Sequence, residues 1–175
     1  MGFLDKTRCY LVGPMDRAQD GSTWRIDAIK RFQPYGVICF NPYDKPICRG
    51  GEDIDNVAHR EKMVKEGNWG EVARLMKEVR AIDLRMVDVS DFILAYIDMD
   101  AKPYGTVEEI VIANLQKKPI VAVVPGGKPM APRWLFGQIP HKYILGSFDE
   151  AFALLDEVDR GLHADDRWKL FRYQI

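Results

Sequence analysis

Asp91-Phe92-Ile93-Leu94-Ala95-Tyr96-Ile97-Asp98, then Tyr104-Gly105-Thr106-Val107-Glu108-Glu109-Ile110, then Pro119-Ile120-Val121-Ala122-Val123-Val124 is the stretch whose reading decides the fold. The first segment is almost continuously apolar between its two aspartates, the pattern of a strand covered on both faces. The second opens a helix after a polar loop, and residues 110–115 are so nearly apolar that this helix reads as sandwiched too. The third is another buried strand. Strand, helix and strand make a βαβ unit, which is expected to cross over with a right hand. Ligands of such sheets bind in the crevice beyond the carboxyl ends of the strands. That spacing brings Asp98, Asp100, Thr106 and Glu109 to the crevice.

Working outward, residues 7–12 read as the first strand, ended by Gly13-Pro14, where glycine permits a sharp turn and proline sets the exit direction. A polar loop over 15–21 leads to Ser22, an N-cap for a helix reaching Phe32 with Trp24, Ala28, Ile29 and Phe32 inward. Gly36 ends it, and Val37-Ile38-Cys39-Phe40 is a second strand closed by Asn41-Pro42-Tyr43. Residues 44–68 form a long insertion broken by Pro46, Gly50, Gly51 and Gly67, with one charged helix around 56–65. Its length suits a lid or an oligomer contact. Over 71–89, Val72, Leu75, Met76, Val79, Ile82 and Met86 recur at helical spacing. After the central unit come a turn-rich loop at Pro125-Gly126-Gly127-Lys128-Pro129 and an amphipathic turn at Trp134-Leu135-Phe136-Gly137. A short fifth strand at Tyr143-Ile144-Leu145 follows, then a last helix capped by Ser147 with Asp149 and Glu150 in its first turn. The terminal residues 168–175 are rich in large apolar side chains and are expected to dock on something. Four or five mainly parallel strands alternating with helices predict a doubly wound, Rossmann- or flavodoxin-like α/β fold, with residues 1–175 as one domain.

Composition bounds the function without naming it. The 175 residues carry a formal charge of −1 with 29% charged side chains, which leaves no electrostatic footprint for nucleic acid or an anionic membrane. No apolar run approaches the roughly 20 residues of a membrane span, and the first residues lack a signal-peptide core. Three cysteines are an odd count, and Cys9 and Cys39 fall in buried strands, so reduced thiols and a cytoplasmic location are expected. His59, His141 and His163 are scattered without metal-ligand spacing, and no metal site is expected.

Several residues have a plain reading and a chemical one. Thr106-Val107-Glu108-Glu109 is a capping box, with threonine at the N-cap and glutamate three residues on. A carboxylate in the first turn of a helix is also kept ionised by the helix dipole and the free N–H groups, as attack on a sugar C1′ requires. Asp83 is a helix residue that could pair with Arg80 or Arg85, or could hydrogen-bond a nucleobase and assist its departure. Tyr10 reads as core, yet its hydroxyl could orient a carboxylate near the crevice. Trp24, Phe40 and Tyr43 read as core, with one available to stack on a base. Arg17 beside the Gly13-Pro14 turn could meet a phosphate. Pro125-Gly126-Gly127-Lys128 lacks the spacing of a Walker phosphate loop.

Tyr10-Leu11-Val12-Gly13-Pro14-Met15, Asp83-Leu84 before Ser90-Asp91, and Gly105-Thr106-Val107-Glu108-Glu109-Ile110 stand in an order that resembles the nucleoside 2-deoxyribosyltransferase superfamily. The resemblance spans residues 7–124. It implies Glu109, and not Glu108, as nucleophile, Asp83 as the base-contacting acid and Tyr10 as the tyrosine beside them. Gly13, Pro14, Met15, Trp24 and Asn41 are then substrate contacts on one side of the crevice. Asp98, Asp100, Tyr104, Gly105 and Thr106 are those on the other. The implied reaction is double displacement at C1′ of a 2′-deoxynucleoside, needing no cofactor. The implied assembly is a homo-oligomer built from dimers, up to a hexamer, with the tail 163–175 at an interface. Pro103 and Tyr104 stand where family members carry an aspartate for the sugar hydroxyls. Gly13-Pro14-Met15 lacks the serine and glycine-rich phosphate contacts of relatives acting on nucleoside 5′-monophosphates, which favours an unphosphorylated nucleoside. The alternatives are a 2′-deoxynucleoside 5′-monophosphate N-glycosidase and, from another class, a non-catalytic nucleotide-binding or sensor module. A cytokinin-activating phosphoribohydrolase ranks lower, because Lys102-Pro103-Tyr104 replaces the P-G-G expected before the Gly-Thr pair.

Overall fold

The computed structural model describes residues 2–15, 23–44, 54–101, 103–163 and 167–169, with the side chains of 54–57 excepted. Arg17, Ser22, residues 45–53 of the long insertion and the last six residues of the tail lie outside them. A five-stranded parallel sheet in the order β2-β1-β3-β4-β5 organises the chain. Its strands are β1 (Arg8–Val12), β2 (Ile38–Phe40), β3 (Phe92–Tyr96), β4 (Ile120–Val123) and the two-residue β5 (Ile144–Leu145). The register sets Tyr10 against both Phe40 and Ile93, and Leu94 against Val121. This is an α/β fold with the chain order reversing between β1 and β3, the place where such sheets open a crevice.

The sequence dictates the burial. Phe92, Ile93, Leu94 and Ala95 are all fully buried, and so are Leu11 and Val12 of β1. Each large aliphatic side chain removed from water in this way contributes about 1.5–3 kcal/mol of transfer free energy. Because successive strand residues face opposite ways, one face takes Phe92 and the other Ile93. On the Phe92 face lie α1 (Thr23–Phe32) and α5 (Phe148–Asp159). Phe32 of α1 has its ring 5.9 Å from Phe92 and 4.8 Å from Phe152 of α5. The other face is covered by α3 (Trp69–Val89) and α4 (Tyr104–Leu115), with α2 (Ile54–Lys65) against α3. Helix α1 runs into a 3₁₀ turn before Gly36, whose φ of 69° is the left-handed conformation that glycine adopts without cost. Ser147 caps α5 by accepting the Glu150 N–H at 3.2 Å.

Two expectations about packing are corrected. Helix α4 is not sandwiched: Ile110 and Ala113 are buried, but Leu115 is 73% exposed. One helical layer covers each sheet face, so α4 buries one side only. Along α3, only Met86 of the six periodic apolar residues is buried, and Met76 is 40% exposed. A helix of 21 residues is about 32 Å long, against about 17 Å for a five-residue strand, so the sheet cannot cover its whole length. The end that is covered is tied down. Lys118 Nζ donates to the carbonyls of Val87, Asp88 and Ser90, the last two at 2.7 and 2.6 Å, capping α3 where it enters β3. Trp168 of the tail is buried in its own chain, its ring 5.4 Å from Phe92.

Candidate active site

Glu109 owes its place to the start of α4. The capping box read from the sequence is not formed. Pro103 is the N-cap, no side chain caps the helix, and the Val107 N–H reaches the Pro103 carbonyl at 2.9 Å. A proline there forfeits no N–H that a helix end could have used, so the helix begins two residues before Thr106. Thr106, Glu109, Ile110 and Ala113 then form the buried stripe of α4 at the i, i+3, i+4, i+7 spacing of one helical face. Glu109 lies in the second turn, is only 8% exposed and faces the sheet.

Tyr10 meets it there. Its hydroxyl donates to Glu109 Oε1 at 2.6 Å, joining β1 to α4 across 99 residues of sequence. Among the described residues Glu109 Oε2 accepts no hydrogen bond. Asp83, on α3, has its Oδ1 shielded from solvent and lies close enough for its charge to act on both partners. Burial pushes the Glu109 carboxyl up to about 8; the Tyr10 hydrogen bond opposes the rise, Asp83 adds to it and Arg25 opposes it. The first-turn carboxylate expected to stay ionised is therefore corrected to a buried one that holds its proton near neutral pH. Burial first, then the negative charges of Glu109 and Asp83, raise the Tyr10 phenol well above its ordinary value.

Glu108 does none of this. It points outward and forms an ion pair with Arg80 of α3, whose Nε lies 2.9 Å from its Oε2. Arg80 is thereby engaged away from Asp83, and Arg85 pairs with Asp88 at 3.9 Å. The adjacent glutamates thus separate into one that ties two helices together on the surface and one inside.

The β1–α1 turn closes the other side. Arg25 is fully buried, donating from Nε to the Leu11 carbonyl at 3.2 Å, from Nη1 to Pro14 at 3.3 Å and from Nη2 to Gly13 at 2.7 Å. Its guanidinium lies 4.5 Å above the Trp24 ring and 5.4 Å from that of Tyr43. The Tyr43 hydroxyl reaches the Met15 carbonyl at 3.4 Å. A Cβ on Gly13 would meet Trp24 at 2.8 Å and the Tyr96 carbonyl at 3.0 Å, so the close approach requires glycine. Arg25 was missed in the sequence although its signal was there: Arg25, Ala28, Ile29 and Phe32 share one helical stripe.

The other residues singled out from sequence take varied places. Trp24 stacks on Phe148 at 5.5 Å and tilts against Tyr96, an aromatic cluster on the α1–α5 face. Asn41 Oδ1 accepts the Tyr43 N–H at 3.1 Å, a local turn. Asp98 Oδ1 accepts the Asp100 N–H at 3.0 Å, and Asp100 is exposed. Tyr104 is 79% exposed, and Gly105 has open space where a Cβ would stand. A cleft of about 360 Å³ lined by Trp24, Arg31, Phe148 and Phe152 lies between α1 and α5, on the face opposite α4. Among the described residues no cluster of histidine, cysteine, aspartate and glutamate could hold a metal ion. None of their helices is long and apolar enough to cross a membrane.

No protein-family model matches the chain, and no curated protein matches it in sequence. Solved structures do. A 2-deoxyribosyltransferase from the psychrotolerant bacterium Bacillus psychrosaccharolyticus superposes with a TM-score of 0.52 at 15% identity, over 76% of this chain and 82% of that one. The CMP N-glycosidase BcmB of Clostridium botulinum superposes with a TM-score of 0.48 at 14% identity, over 86% of this chain and 98% of that one. The chain thus has an α/β fold shared with the 2-deoxyribosyltransferase.

Proposed function

We propose that this protein is a nucleoside 2-deoxyribosyltransferase, cleaving the N-glycosidic bond of 2′-deoxynucleosides through a glycosyl ester of Glu109. The observation that carries the reading is the buried Glu109 whose Oε1 is held by the Tyr10 hydroxyl at 2.6 Å, with a second carboxylate, Asp83, beside the pair. The shared α/β fold and the order of the three motifs support it. The Glu109 and Asp83 carboxyls share one proton. In the first step, with that proton on Asp83, the ionised Glu109 Oε2 forms a bond to C1′ as the C1′–N bond breaks through an oxocarbenium-like transition state. The bonding pair leaves on the base nitrogen, and the Asp83 carboxyl supplies the base with a proton. In the second step a nitrogen of another base attacks C1′ from the vacated side. Glu109 leaves as carboxylate and Asp83 takes the incoming nitrogen's proton. Two inversions give retention. Tyr10 fixes which oxygen faces the sugar. Gly13, Pro14 and Met15 on one rim and Asp98 and Thr106 on the other are the substrate contacts of this reading. The same reading makes residues 1–175 one domain acting as a homo-oligomer.

The test incubates wild type and Glu109→Ala with a panel of 2′-deoxynucleosides and their 5′-monophosphates, with and without a second free base, and separates the products by chromatography. A new deoxynucleoside formed by wild type alone is the expected result. Free base released only from monophosphates replaces the reading with a hydrolase of nucleotides. Turnover by Glu109→Ala equal to wild type removes Glu109 from the chemistry.

A further inference from the structure

We infer that Arg25 is the positioning residue of this site, fixing the chain where it leaves β1 through the carbonyls of Leu11, Gly13 and Pro14 and placing a buried positive charge near enough to act on the Glu109 and Asp83 carboxylates. The inference rests on the proposed function for its kinetic part, on the contacts of Arg25 for the turn, and on those contacts together with the charges around Glu109 for the rest.

Arg25 is the one buried cation among the described residues. A guanidinium taken out of water is costly unless its donors are satisfied. Here three nitrogens reach three carbonyls at and just past the end of β1, those of Leu11, Gly13 and Pro14. A planar fork can span three acceptors along a curved backbone, and a lysine ammonium cannot match that geometry. The arrangement therefore sets the path of the chain as it leaves β1, two residues beyond the strand that carries Tyr10. The Trp24 and Tyr43 rings beside the guanidinium hold it in place, at 4.5 and 5.4 Å.

The charge has a second consequence. The groups acting on Glu109 come from every element around it: Tyr10 of β1, Asp83 of α3, Glu108 of its own helix and Arg25 of α1. Asp83 and Glu108 disfavour the carboxylate, whereas Arg25 and the Tyr10 hydrogen bond favour it. Arg25 is the cation in that set. Burial lowers its own affinity for a proton to about 10, which still leaves it charged at neutral pH. It thus offsets part of the cost of ionising a buried nucleophile.

The experiment compares wild type, Arg25→Lys, Arg25→Met and Arg25→Gln. Carboxyl-edited NMR of protein labelled with ¹³C-glutamate follows the titration of Glu109, assigned by its loss in Glu109→Gln. KM and kcat for a deoxynucleoside are measured alongside, and thermal unfolding identifies the variants that fold. Arg25→Met and Arg25→Gln should titrate Glu109 at higher pH than wild type. Arg25→Lys should leave that midpoint near wild type and raise KM roughly tenfold, because the charge survives and the fork does not. An unshifted midpoint in both neutral variants, or a lysine variant that shifts as far as they do, overturns the role of the charge. A wild-type KM in Arg25→Lys overturns the role of the turn. If neither neutral variant folds, the Arg25→Lys KM decides the role of the turn, and a Glu109 midpoint displaced in Arg25→Lys although the charge is kept overturns the role of the charge. If the wild type turns over no deoxynucleoside, the proposed function falls by itself, and the titration still decides whether Arg25 governs Glu109.

Discussion

A single carboxyl carries opposite demands in this protein. Glu109 must be buried to stand against Tyr10, and burial is what pushes its carboxyl up to about 8 from an ordinary 4.5. The folded state therefore binds a proton that the unfolded chain has released between those two values. Stability contributed by this group is fully present below about pH 4.5 and is lost as pH rises through about 8. Glu109→Gln removes that dependence while keeping an oxygen for the Tyr10 hydroxyl. Its melting temperature should exceed that of wild type at pH 8 and the difference should shrink toward pH 5, measured by calorimetry across that range. A constant difference, or one that grows on acidification, contradicts the assignment. The residue itself was legible from the Gly105–Ile110 motif and from its expected place at the mouth of the crevice. Its protonation was not, because the same letters also spell a capping box, and only the helix start at Tyr104 separates the two.

At the scale of elements, the turn that leaves β1 is the least forgiving part of the site. Gly13 stands where a Cβ would press on Trp24 at 2.8 Å, on the Tyr96 carbonyl at 3.0 Å and on Arg25 at 3.4 Å. The backbone carbonyl cannot move without disturbing β3, so Gly13→Ala should cost about 1–3 kcal/mol, as overpacked positions do. A melting temperature equal to wild type contradicts this. The strands and their order of burial were plain from the apolar runs, and the helices from their periodicity. What the periodicity could not convey was how far each helix outruns the sheet. Leu75, Met76 and Val79 of α3 repeat as regularly as Met86, yet of these only Met86 is buried. Arg25 was hidden for a different reason. A charged residue on an inward stripe is read as solvated unless its acceptors are visible, and those acceptors are carbonyls of a turn.

For the whole molecule, a parallel sheet in the order β2-β1-β3-β4-β5 brings three segments distant in sequence to one place. β1 supplies Tyr10, α3 supplies Asp83 and α4 supplies Glu109, the first and last joined by the 2.6 Å hydrogen bond. The motif order hinted at this meeting, but the geometry of the pair depends on the register of β1 with β3 and on α3 and α4 lying side by side. The central claim is that this meeting makes Glu109 a nucleophile. The most direct measurement uses a 2′-fluoro-substituted deoxynucleoside, in which fluorine slows breakdown of the glycosyl ester, followed by intact mass and peptide mapping. One glycosyl adduct per chain is expected, located on Glu109 and lost in Glu109→Gln. An adduct on any other residue, or turnover of the natural substrate with retention of configuration by Glu109→Gln, would contradict the central claim.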